Sequence, residues 1–186
     1  MLLRNADTAL RRAKALGRGG NAVFDAATHT DQRERLRLEH DLEGVLARGE
    51  LRVYYQPIVA LETQIVGVEA LLRWQQPERG LVLPGTFIPV AEQTGLIVPL
   101  GSWVIEQAFT QLKKWREAGH TELFVSVNVS ARQLQPQLVG TIREMLERLG
   151  LSPASVALEL TESVFVEETD EIVTRFKTLY DLGLGL

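Results

Sequence analysis

Residues 101–129 read GSWVIEQAFTQLKKWREAGHTELFVSVNV, and this stretch decides the architecture. Val104, Ile105, Ala108, Phe109, Leu112 and Trp115 recur at helical spacing, so the pattern predicts a one-sided helix over 101–118 that ends before Gly119. The aliphatic run at 123–129 then reads as a strand. The same order returns twice downstream. A helix predicted over 137–149 carries Leu138, Val139, Ile142, Met145, Leu146 and Leu149, ends before Gly150 and leads into a strand over 156–160. A helix predicted over 169–182 carries Ile172, Val173, Phe176, Leu179 and Tyr180 and ends before Gly183. The three glycines lie 31 and 33 residues apart. Helices and strands alternating at that period build βα units on a parallel sheet. A closed eight-fold barrel of such units takes roughly 250 residues. A chain of 186 residues holds part of one, and the expected fold class is α/β, a partial TIM-like βα barrel.

Upstream, 51–59 and 65–74 are rich in Val, Tyr, Ile and Leu and are separated by a polar turn, so they predict an antiparallel strand pair at the start of the sheet. A loop with Pro77, Gly80, Pro84 and Gly85 follows, then a short helix over 86–94. Residues 31–48 predict a charged helix with Leu38, Leu42, Val45 and Leu46 on one stripe, a connector by its position. Residues 1–25 read as a short helix, a glycine-rich turn and a strand, too little to bury a core alone. The expected division is therefore 1–25, a remnant of a neighbouring domain; 26–50, a linker helix; and 51–186, the barrel portion.

Composition narrows the function. The chain is 45% hydrophobic and 24% charged, as a packed soluble domain requires. Its net charge of -4 argues against a nucleic-acid polymer as partner. With no cysteine there is no disulfide scaffold, thiolate metal site or cysteine nucleophile. No apolar run reaches the roughly 20 residues of a membrane span, and the N-terminus lacks a signal-peptide core. The expected location is cytoplasmic, and the parent protein has room for a membrane or sensor domain upstream. His29, His40 and His120 are scattered without ligand spacing and read as surface residues; Trp103 and Trp115 read as core.

Period-2 geometry gathers the polar strand residues on one side of the pleat. Gly67, Glu69, Leu71 and Arg73 share a face, as do Phe124, Ser126, Asn128 and Ser130, and Ala157, Glu159 and Thr161. The amphipathic helices cover the aliphatic faces, so these mixed faces point into the barrel. Asn128 and Glu159 each lie nine residues after a helix-ending glycine, near the C-terminal strand ends where such barrels carry their sites. Two carboxylates and an amide oxygen converging there call for a cation, and all-oxygen donors suit Mg²⁺ or Mn²⁺. On pattern alone, a strand Glu facing solvent and an Asn starting a turn account for the same residues.

Glu69-Ala70-Leu71-Leu72-Arg73-Trp74 resembles the signature of the EAL-domain family of cyclic di-GMP phosphodiesterases. Tyr55-Gln56-Pro57-Ile58, Phe87-Ile88-Pro89 with Ala91-Glu92, Ser126-Val127-Asn128-Val129-Ser130 and Glu159-Leu160-Thr161-Glu162-Ser163 join it in family order over 51–186. The resemblance implies a modified βα barrel binding two divalent cations, Mg²⁺ or Mn²⁺, with Glu69, Asn128 and Glu159 at ligand positions. It implies bacterial second-messenger signalling through hydrolysis of cyclic di-GMP to the linear dinucleotide pGpG. Arg73 matches a phosphate-binding position and Gln56 a substrate-contacting one, suited to a guanine edge. Glu162 matches a residue that orders a loop near the metals. Ala6-Asp7-Thr8-Ala9-Leu10 with Ala13-Lys14 and Gly17-Arg18 resembles the last helix of a GGDEF domain, with Arg11 where that pattern commonly has Tyr; the cyclase signature itself is absent.

The family pattern continues to an Asp-Asp pair, a Lys and a Glu that are not in these residues, and the nine-residue register puts the next ligand position at 192, beyond Leu186. The expectation is a fragment inactive by itself, with 184–186 opening the next strand. An uncovered sheet edge would favour a homodimer or other self-association. The competing reading is a degenerate, non-catalytic EAL domain that binds cyclic di-GMP or a protein partner.

Overall fold

The computed structural model describes residues 26–60, 64–160 and 170–186. The chain divides into two compact units, 1–41 and 42–186. The described part of the first lies in helix α1 (Ala26–Leu42), whose last residue belongs to the second. The predicted helix over 31–48 is corrected at both ends: α1 begins earlier, and residues 43–49 are turns. Leu38, Leu42 and Val45 are buried and Leu46 is half-buried, so the stripe marked burial at three of its four positions and overran the helix. Gly44 and Gly49 take left-handed backbone, which breaks the helix where the stripe alone would continue it.

The second unit opens with β1 (Leu51–Val59), antiparallel to β2 (Ile65–Gln76). A three-residue strand, β3 (Gly80–Val82), folds back on the end of β2. It lies in the stretch read as loop, because Pro77 and Gly80 mark the turn and nothing in so short a run marks the strand. Helices α2 (Pro84–Thr94) and α3 (Ile97–Glu117) follow, then β4 (Phe124–Val129), α4 (Pro136–Leu149), β5 (Val156–Leu160) and α5 (Asp170–Asp181). The order in space is β1-β2-β4-β5, with β2, β4 and β5 parallel. Gly185 makes an isolated parallel bridge to Ala157 on the free side of β5, within the stretch 184–186. The sheet is not closed among the described residues, and the fold is a partial βα barrel.

The predicted helices form for the expected reason. Val104, Ile105, Ala108, Phe109 and Leu112 of α3 and Leu138, Ile142 and Leu146 of α4 are buried against Val68, Ala70, Val125, Val127, Val129, Val156 and Leu158 of the sheet. Trp103 and Trp115 pack against that cluster. Gly119, Gly150 and Gly183 end the three helices at φ 105°, 66° and 88°, a conformation a Cβ resists. Since the outer strand faces are filled by this core, the opposite faces are left for polar groups. Among the described residues no helix is long and apolar enough to cross a membrane.

Candidate functional site

Strand register determines which polar side chains meet. Gln56 pairs with Glu69 across β1 and β2, Glu69 with Ser126 across β2 and β4, and Asn128 with Glu159 across β4 and β5. Directly paired residues project to the same side of a sheet, so all five share the inner face. Two hydrogen bonds run diagonally across it. The Asn128 Nδ2 donates to Glu69 Oε1 at 2.6 Å, and the Ser126 hydroxyl donates to Glu159 Oε1 at 2.5 Å. Central strand β4 therefore holds one oxygen of a carboxylate on each neighbouring strand. Glu69 Oε2, Glu159 Oε2 and the Asn128 side-chain oxygen remain as acceptors.

Arg73 lies four residues beyond Glu69 on the same face, nearer the C-terminal end of β2. Its Nη1 donates to Leu72 O at 2.9 Å, and its guanidinium lies 5.9 Å from the centre of the Tyr54 ring, within cation–π range. Arg52 is its direct partner on β1. The Arg52 Nη1 donates to Gly49 O at 2.8 Å and to Leu51 O at 2.6 Å, so two like charges occupy paired positions at this end of the sheet. Gln56 sits deeper, level with Glu69, and is exposed. Glu162 lies outside the described residues.

Beside this face, a cleft of about 330 Å³ runs between α2, the start of α3 and the ends of β2 and β4. Leu71, Ile88, Val104, Asn128, Ser130 and Gln133 are among its walls. The Ser130 backbone N–H donates to Gln133 Oε1 at 3.0 Å, and that amide presses so closely on α3 that a Cβ on Gly101 would lie 1.5 Å from its Nε2.

Trp74, whose role the motif left open, anchors the rim. It is fully buried, donates from Nε1 to Glu50 Oε2 at 3.0 Å, and packs edge-to-face on Phe87 of α2 at 5.7 Å. Glu50 also accepts from Arg48 at 2.6 Å. The Arg48 hydrogen bond, then that of Trp74, hold the Glu50 carboxyl below its ordinary range. On the covered side of the sheet, Tyr55 stacks edge-on against Trp115 at 4.8 Å, and burial pushes its hydroxyl up to about 12.

The donor set is compatible with a hard divalent cation. It consists of oxygens only, on adjacent strands, at one end of the sheet. Among the described residues no three His, Cys, Asp or Glu side chains are grouped so as to hold a metal, and Asn128 adds an amide oxygen beside the two carboxylates. Sequence reasoning placed Ser126 on the correct face but missed its contact with Glu159. Its position two residues before Asn128 was the available signal. Arg52 and Tyr54 were missed because pattern alone does not fix antiparallel register.

Comparisons with known proteins agree with this fold. The EAL domain family matches residues 38–186. The chain is 40% identical over 187 residues to the bifunctional diguanylate cyclase/cyclic di-GMP phosphodiesterase MucR of Pseudomonas aeruginosa, spanning all of this chain and 27% of that protein. It is 40% identical over 183 residues to the cyclic di-GMP phosphodiesterase PdeR of Escherichia coli, spanning 98% of this chain and 28% of the relative. The chain thus spans little more than a quarter of the length of these two relatives. Among solved structures, the PaMucR phosphodiesterase in complex with c-di-GMP superposes with a TM-score of 0.75 at 41% identity, over 80% of this chain and 61% of that one. The EAL enzyme Bd1971 with cAMP and cyclic di-GMP bound matches 98% of this chain and 48% of its own at a TM-score of 0.74 and 28% identity. The chain belongs to the EAL domain family.

Proposed function

We propose that the protein carrying this chain is a metal-dependent cyclic di-GMP phosphodiesterase, and that the residues described here supply one wall of its active site. The observation that carries the reading is the row Glu69, Asn128 and Glu159 on three adjacent strands, with Asn128 hydrogen-bonded to Glu69 and Ser126 to Glu159. In this reading those three side chains hold Mg²⁺ or Mn²⁺, which when bound would lower the pKa of a water and offset charge on the attacked phosphate. Arg73 forks a phosphate oxygen pair from the rim, and the like-charged Arg52 opposite it favours the same anion. Gln56 offers an amide to a guanine edge. The overall reaction adds water to one phosphorus, breaks its bond to one ribose oxygen and opens the ring to linear pGpG.

Three oxygen donors make an incomplete two-metal site, so the 186-residue chain by itself is expected to have no turnover. The test is hydrolysis of cyclic di-GMP by the full-length protein and by this chain, with Mn²⁺ and with chelator. Glu69→Gln and Asn128→Ala in the full-length protein should abolish hydrolysis, and Arg73→Ala should raise KM. Tight binding of cyclic di-GMP by the full-length protein without hydrolysis would replace the enzyme reading with a receptor. Turnover by the 186-residue chain alone would show that the wall described here suffices.

A further inference from the structure

We infer that Ser126 is a positioning residue, which sets the Glu159 carboxylate for cation binding by holding one of its two oxygens. This rests on the proposed role of Glu159 as a ligand and adds a requirement that role does not contain. Ser126 is 1% exposed, on a strand whose other covered positions are valines. A hydroxyl in such a place costs stability unless it is hydrogen-bonded. Its bond goes to Glu159, an exposed carboxylate that could otherwise solvate itself.

Register explains why serine can reach. Ser126 pairs with Ala157, and Glu159 is the next residue on that face of β5, so the short hydroxyl spans one diagonal step. Asn128 lies directly opposite Glu159 but donates the other way, to Glu69. Ser126 is therefore the one hydrogen-bond partner of the Glu159 side chain among the described residues. Tying Oε1 fixes the carboxylate plane and leaves Oε2 to a cation. Partners of this kind behind a ligand typically change metal affinity about 10- to 100-fold.

Mn²⁺ affinity by calorimetric titration of the full-length protein tests this without depending on turnover. Ser126→Ala should bind Mn²⁺ about 10-fold more weakly, while its metal-free thermal midpoint stays close to that of the parent. Ser126→Thr, which keeps the hydroxyl, should restore affinity. Glu159→Gln should weaken binding at least as much as Ser126→Ala. If Glu159→Gln loses affinity and Ser126→Ala does not, the positioning role is overturned and the ligand survives. If Glu159→Gln binds as the parent does, the ligand reading falls and Ser126 with it. A loss in Ser126→Ala that Ser126→Thr fails to recover would make the residue a packing element only.

Discussion

Replacing Gly101 by alanine tests the packing behind the cleft. A Cβ at this position would lie 1.5 Å from Gln133 Nε2 and 2.6 Å from its side-chain carbonyl carbon, so the amide must move by about 2 Å to reach ordinary contact distance. Gln133 is only 5% exposed, enclosed between α3 and the turn after β4, and has little room to retreat. Moving it breaks the 3.0 Å bond from the Ser130 N–H and leaves a buried donor unmet, at a cost of about 1–3 kcal/mol. Overpacking costs about 1–3 kcal/mol more. Alanine returns about 1 kcal/mol through helix propensity. The net is a loss of about 3 kcal/mol, or roughly 6–12 °C in Tm for a domain of this size. Urea denaturation of the chain with Gly101→Ala, Gln133→Ala and both would measure it. In the double variant the clash has no partner, so Gly101→Ala should become neutral or stabilising there. A single Gly101→Ala variant as stable as the parent, or an equal loss in both backgrounds, would refute the reasoning.

Four other outcomes are expected. Burial raises the Tyr55 pKa to about 12, so its contribution to folding stability is fully present below about pH 10 and lost as the pH rises from 10 to 12; in Tyr55→Phe, urea midpoints should not show that component of the alkaline decline. Glu50 has the opposite sign: its lowered pKa adds stability above about pH 4.5 that disappears as the pH falls through the folded value, so Glu50→Gln should flatten the acid limb of a pH–stability curve. Trp74→Phe, which removes the Nε1 donor from the same carboxylate and leaves space in the core, should cost about 2–4 kcal/mol by chemical denaturation. Since β1 is paired only with β2 among the described residues, sedimentation of the 186-residue chain at several concentrations should show mass rising with concentration; a concentration-independent monomer would exclude self-association through the open edge.

Local sequence signals were sufficient for most of the barrel. The stripes at 104–112 and 138–146 and the three terminal glycines placed α3, α4, α5 and the parallel strands between them, because burial of one helical face imposes a period that survives in sequence. The inner face was equally legible from alternation in β2, β4 and β5. Contacts depending on register or on long separation were not. Nothing near Ser126 specifies Glu159, 33 residues away, and nothing in the 43–50 turn announces that Glu50 will receive Trp74. The connector helix was misjudged because a buried apolar stripe looks the same whether a helix or a turn delivers it to the core.

The reversed first strand has a mechanical consequence. Because β1 runs against β2, its opening residue Leu51 pairs with Trp74 at the end of β2 that carries Arg73. In an all-parallel barrel the polypeptide would enter at the opposite end, and any displacement of the incoming segment would have to cross the whole sheet to be felt at the mouth. Here the entrance and the mouth coincide. The Gln75 amide donates to the Glu50 carbonyl at 2.7 Å, and the Glu50 side chain receives Trp74. A tug on residues 48–50 is thus applied one residue from the arginine proposed to hold phosphate, a lever arm about as short as a polypeptide allows.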